Sequence, residues 1–170
     1  MHWSIHHIMQ VADLVRYNHV VRRLYFDSFT KLPWAAVVQP RGLSFDSMRD
    51  VFLHLTLVED RWINYIITGK FKEWVDLDFE TFDDIEALKK YMLKIQGDTE
   101  NYLSTLSTEE LCREIVVPWG DKPGLHVSVE IGLNHMVIED MIHYGELSAA
   151  LWQMGSEAPY IGFWRYKSTQ

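Results

Sequence analysis

The sequence predicts an all-α fold, a four-helix bundle with one small irregular or hairpin segment before the last long helix. Three observations carry this. Four long stretches repeat apolar residues at helical spacing, and only one short segment reads as strand. The length of 170 residues suits a single domain over 1–170, with one core and an aromatic tail at 156–170. Hydrophobic residues make up 48% of the chain and charged ones 24%, a balance that excludes a disordered segment.

The first helix is expected from about Ser4 to Leu32, with Ile5, Ile8, Ala12, Val15, Phe26 and Phe29 at helical spacing. Pro33 stops it, because the residue before proline avoids helical backbone. The stretch Trp34 to Leu43, with Pro40 and Gly42, reads as a loop. Ser44 is the expected cap of the second helix, with Asp46 in its first turn. Val51, Leu55, Val58, Trp62 and Ile66 form its inward stripe, and Gly69 supplies the stop.

The third helix is expected from Thr81, with Thr81 to Asp84 as a capping box. Ile85, Leu88, Met92 and Ile95 face inward, Tyr102 and Leu106 follow, and Gly97 marks a bend. Ser107 opens a short capped turn with Glu110. Ile115 to Val117 and Leu125 to Val127 pair as a small hairpin across a turn-rich segment. Ser128 caps the last long helix, which runs to about Met154 and stops at Gly155. The tail holds Tyr160, Phe163, Trp164 and Tyr166, so it packs on the bundle or on a partner subunit.

Charge and composition exclude several function classes. Lys plus Arg number 16 against 24 Asp plus Glu, a net charge of −8, so no nucleic-acid partner is expected. The one cysteine, Cys112, permits no internal disulfide and no zinc site of four cysteines; it reads as a half-buried small residue. No apolar run reaches the ~18 residues of a membrane span, and Met1 to Met9 does not read as a signal peptide. A cytoplasmic location and no membrane partner are expected. The Glu-x-x-His, His-Glu-x-x-His, Gly-x-Ser-x-Gly and Walker patterns are all missing.

Bundles build sites from polar side chains that face inward. In the last helix Gly132, Met136, Glu139, His143, Leu147 and Ala150 lie within about 40° of one direction at 100° per residue. Glu139 and His143 therefore stand where a core helix is normally apolar, four residues apart on one face. A buried carboxylate is costly unless it is paired or bound to a cation. His135 lies one turn before Glu139, but roughly 12 Å of axial rise separates it from His143, so one ion takes Glu139 with one of the two. His54 lies at the edge of the second helix's apolar stripe. His54, Glu139 and His143 together would leave a metal ion with open positions, the mark of a catalytic site. Two imidazoles and a carboxylate suit zinc, nickel or ferrous iron. The plainer reading pairs Glu139 and His143 with each other, or with Arg16 or Arg22 of the first helix. His2, His6, His7, His19 and His126 read as surface or loop residues.

The chain resembles the DinB-like superfamily, which also contains the YfiT-type metal hydrolases. The matching pieces are Tyr17-Asn18, Ser44-Phe45-Asp46-Ser47 leading into Val51-Phe52-Leu53-His54, and Trp62 eight residues on. Asn134-His135, His143-Tyr144-Gly145-Glu146-Leu147 and Leu151-Trp152-Gln153-Met154-Gly155 follow. In the family the last two segments commonly read His-Arg-Gly-Gln-Leu and Leu-Arg-Gln-Leu-Gly. The resemblance implies a four-helix bundle, a homodimer, and a divalent metal held by three histidines. His54 matches the first of these and His143 the third. Glu139 stands at the middle position, a departure that either gives a site of two histidines and one glutamate or marks a lost ion.

Relatives in the superfamily include transferases and isomerases that use a low-molecular-weight thiol. The resemblance thus implies a metal-activated thiol or water nucleophile acting on a small molecule. Asp140 or Glu146 would assist as an acid or by orienting a ligand, and Tyr17, Asn18, Trp62 and His135 would line the pocket. The alternatives are a non-catalytic dimeric binding or stress-response module, and a metal-dependent ligand sensor.

Overall fold

The structure, a computed structural model, describes residues 5–119 and 123–169. His2 lies outside the described residues, as do the side chains of Ile5, His6, His7 and Ile8. Four long helices form the bundle: α1 (Ile5–Phe29), α3 (Met48–Asp60), α4 (Ile85–Ser104) and α6 (Val129–Gln153). Each of α1 and α3 packs on both α4 and α6. Short α2 (Trp34–Val38), α5 (Thr108–Cys112) and α7 (Phe163–Ser168) fill the ends. Strands β1 (Glu114–Val117) and β2 (Leu125–Ser128) pair antiparallel, with Ile115 opposite Val127, and lead directly into α6. Among the described residues no helix is long and apolar enough to cross a membrane.

Most helix ends fall where short-range chemistry puts them. Ser128 accepts from the Ile131 N–H and Ser107 from the Glu110 N–H. Gly69 and Gly155 stop their helices at φ 73° and 71°. Gly97 marks no bend, since α4 runs unbroken through it.

Three boundaries differ from expectation. Trp34 to Val38 is a helical turn with Pro33 as its N-cap, a position where proline's missing N–H is not needed. The cap of α3 is Ser47, whose side chain accepts from the Asp50 N–H. Ser44 cannot serve, because Asp46 takes φ 67° and breaks the helical path between them. The cap of α4 is Asp84, accepting from the Ala87 N–H, while Thr81 ends a separate 3₁₀ turn.

The core of Phe26, Phe29, Met48, Phe52, Leu88 and Leu147 joins α1, α3, α4 and α6. A second cluster lies toward the hairpin, around Trp62, Ile66, Leu111, Ile115 and Leu133. At Gly132 an added Cβ would stand 2.7 Å from the Trp62 ring, so only glycine lets that indole approach α6 so closely. Just past α3 the helix widens into a π-helical turn, Arg61–Ile66. The aromatic tail packs on its own chain. Tyr17 donates to the Ile161 carbonyl, its ring meets Phe163 and Tyr166, and Lys167 pairs with Asp13.

An ion-pair network crosses the core. Arg22 is fully buried and bridges Glu59 of α3 and Asp140 of α6. His19 donates to Glu59 at 2.7 Å, Thr99 of α4 donates to the same carboxylate, and Asn18 donates to Asp140. His19 is therefore a core residue and not a surface one, because Glu59 gives its ring a buried partner. Arg16 pairs with Glu100, so neither arginine reaches Glu139. Cys112 is exposed and not half-buried, since Leu111 takes the inward position of that short helix.

Removing Arg22 would leave two carboxylates buried without their cation. Arg22→Met is expected to cost about 3–5 kcal/mol in urea unfolding at pH 7. Adding Glu59→Gln and Asp140→Asn to it should recover most of that loss, because no buried charge then lacks a partner.

Candidate metal centre

Helix α3 presents His54, and α6 presents Glu139 and His143 one turn apart. Their ligand atoms all lie within 4.8 Å of one another. The His54 Nε2 lies 3.6 Å from Glu139 Oε1, and the His143 Nε2 lies 3.5 Å from the same oxygen. Ligands bonded at 2.0–2.2 Å in a tetrahedron stand about 3.3–3.6 Å apart, so both separations already match such an edge.

The hydrogen bonds around the cluster decide which nitrogen faces it. His143 donates from Nδ1 to Glu146 Oε1 at 3.0 Å. Glu146 is held in turn by the Ser44 N–H at 2.9 Å and the Ser44 hydroxyl at 2.8 Å, both to Oε2. This carboxylate–histidine pair orients the ring, with Nδ1 toward Glu146 and Nε2 toward Glu139. The His54 Nε2 is buried and has no hydrogen-bond partner among the described residues. Phe45 closes one side, stacked on the His54 ring at 3.8 Å and edge-on to His143 at 5.7 Å.

The electrostatics agree with a cation site. Burial, with the neighbouring His143 adding to it, pulls His54 down to about 4 despite the opposing pull of Glu139. Its imidazole is thus neutral at pH 7, the form that ligates a metal. Burial pushes Glu146 up, but the Ser44 bonds and the His143 ring outweigh it and hold the carboxyl below its usual range. The Nε2 atoms of both rings face one carboxylate oxygen, the donor set of a divalent cation. The residues present fit a divalent ion.

The other expected residues lie elsewhere. His135 is exposed and packs its ring on Trp62 at 5.4 Å, one turn away from the cluster. Trp62 is itself buried beneath Trp119. Tyr17 lines a separate groove of 190 Å³ with Tyr25, Tyr144 and Tyr160. Asn18 and Asp140 belong to the buried Arg22 network, and burial pushes Asp140 above its ordinary range even with Arg22 beside it. Glu146, in contrast, touches His143 directly. Ser44 and Phe45 complete the site without being singled out by spacing. Their signal is their place just before the helix that carries His54.

Because His54 is held below its unfolded value of 6.5, its protonation opposes folding. Its contribution to stability is present above pH 6.5 and is lost as the pH falls through about 4. Thermal unfolding in chelator should therefore show a shallower loss of stability over that window in His54→Gln than in wild type.

A sequence model of the DinB family matches residues 7–170. The chain therefore belongs to the DinB family. No curated protein is matched by the chain.

Proposed function

We propose that this member of the DinB family holds a divalent metal ion on His54, Glu139 and His143 and uses it to act on a small molecule through a thiol or water nucleophile. The observation that carries this reading is the convergence of both Nε2 atoms on Glu139 Oε1, at 3.6 and 3.5 Å, with the His54 Nε2 buried and unpartnered. A divalent ion there supplies Lewis acidity, which lowers the pKa of a thiol or water at its open position. Nickel, zinc and ferrous iron all suit two imidazoles and one carboxylate.

The chain's own groups do the rest. Glu146 holds the His143 ring in the required orientation through Nδ1. Ser44 holds Glu146, and Phe45 shields the His54 ring from water. Glu139 lowers the charge of the site by one relative to three histidines, so a bound thiolate or hydroxide is stabilised less strongly.

Elemental analysis of tag-free protein tests the reading. Near-stoichiometric metal is expected in wild type and none in His143→Ala. Glu146→Ala should weaken metal affinity by about 10–100-fold, because the orienting bond to His143 is lost. If wild type takes up no metal even after soaking with nickel and zinc, the enzyme and metal-sensor readings fall and a non-catalytic binding module replaces them.

The partner in this reading is a second copy of the chain, seated on the outer face of α6. Ile131, Ile138 and Ile142 lie on one strip there, with Ile138 and Ile142 each 59% exposed, and Trp152 extends it. Gly145 has open space around it, and with Ala149 it allows a second helix to approach closely. No Lys, Arg or Asp lies among these positions, so two chains of net charge −8 meet there without opposed like charges. Light scattering at micromolar concentration should give a dimer for wild type and a monomer for Ile138→Asp/Ile142→Asp. A monomeric wild type removes this partner.

A further inference from the structure

We propose that the Arg61 guanidinium and the Trp74 indole N–H form a carboxylate-binding subsite next to the His54, Glu139 and His143 cluster, held closed by the chain's own Asp76, and that the small molecule handled there carries a carboxylate. The second half rests on the metal reading above; the subsite itself does not.

The subsite already holds a carboxylate. Arg61 donates from Nη2 to Asp76 Oδ1 at 3.0 Å, and Trp74 donates from Nε1 to the same oxygen at 3.1 Å. The guanidinium lies over the Trp74 ring, 3.9 Å from its centroid. Two donors from separate segments thus converge on one acidic oxygen, with the guanidinium braced on the Trp74 ring. Asp76 is a weakly held occupant, because its side chain is 88% exposed and such pairs are worth little. It also fills the site incompletely. The Nε of Arg61 is buried and has no hydrogen-bond partner among the described residues. Nε and Nη2 form one edge of the guanidinium, an edge that accepts both oxygens of a carboxylate side by side. Asp76 uses Nη2 alone. A carboxylate that spanned both would satisfy the nitrogen Asp76 leaves unpaired.

The subsite lies on the same face as the metal ligands. Arg61 follows His54 by seven residues in one continuous helical run, so it stands about two turns and ~10 Å further along. Aromatic contacts run back from Trp74 to α6 without a break. Trp74 meets Trp119 at 5.5 Å, Trp119 meets Trp62 at 5.7 Å, and Trp62 meets His135, one turn before Glu139. An unsaturated or aromatic body attached to the carboxylate would lie along this wall. The π-helical turn begins at Arg61 itself, and such widened turns recur at binding sites.

Tryptophan fluorescence and calorimetry on the full chain test this, with benzoate as the probe and benzyl alcohol as its neutral counterpart. In chelator-treated protein, wild type is expected to bind benzoate in preference to benzyl alcohol. Asp76→Ala should bind benzoate about two- to fivefold tighter, which is the competition of a weak exposed pair removed. Arg61→Gln should lose benzoate binding while its far-ultraviolet circular dichroism stays that of wild type. Asp76→Ala alters only an exposed side chain, so its result stands even if Arg61→Gln fails to fold. Equal binding of the two probes, or no tightening in Asp76→Ala, overturns the subsite. Benzoate binding that needs restored zinc or nickel, and that His143→Ala abolishes while Arg61→Gln does not, also overturns it but leaves the metal reading intact. Arg61-dependent binding in a protein that takes up no metal supports the subsite and removes the metal reading instead.

Discussion

The buried guanidinium of Arg22 sets the geometry on which the rest depends. It holds Glu59 of α3 with one arm and Asp140 of α6 with the other. Asp140 is the immediate neighbour of Glu139, and Glu59 lies five residues beyond His54. Fixing Asp140 toward α1 turns Glu139 and His143 toward α3, and fixing Glu59 sets the height at which α3 presents His54. Buried ion pairs add little to stability compared with apolar packing of similar volume, but a mispaired one is expensive. The network therefore acts on register. Any rotation or slide of α3 against α6 would leave a buried charge without its partner.

The candidate metal centre shows the opposite condition, a cluster left deliberately incomplete. Elsewhere in the core both carboxylates of the Arg22 network meet cationic or hydroxyl donors, and only Arg22 Nε and Asn18 Oδ1 are left without a partner among the described residues. Here a carboxylate oxygen faces two imidazole nitrogens with no proton assigned between them. The loop before α3 keeps it so. Asp46 at φ 67° occupies backbone that few side chains other than Asn and Asp tolerate. That bend puts the Ser44 donors on Glu146 and the Phe45 ring on His54. Local strain and an unsatisfied nitrogen meet at one place, as they do where a fold gives up stability for binding.

The widened turn after α3 links this centre to the hairpin side of the bundle. Trp62 reaches α6 only because residue 132 is glycine, and it brings His135, Trp119 and Trp74 into one aromatic layer. Arg61 is carried on the outer edge of that layer. Metal ligands, aromatic surface and cation thus lie in sequence along one face of the molecule.

Much of this was legible in the chain. The helices followed from apolar spacing, and the ends at Gly69, Ser107, Ser128 and Gly155 from side chains within four residues of the bonds they make or stop. Glu139 and His143 stood out because they interrupt an apolar stripe at a spacing of four, His54 because it edges another, and the family resemblance matched His54 and His143 to ligand positions. The partners of Arg22, the burial of His19, the choice of Ser47 over Ser44 as cap and the meeting of Arg61 with Trp74 and Asp76 were not legible. Ser44 and Ser47 are equally good caps by local chemistry, and only Glu146, 102 residues away, claims the first. Arg22 had many acids to choose from, and its partners lie 37 and 118 residues distant. Short-range hydrogen bonding and periodicity are properties of neighbouring residues, so the sequence alone determined them. Which charge meets which across the bundle depends on how four helices exclude water together, and that only the tertiary structure decided.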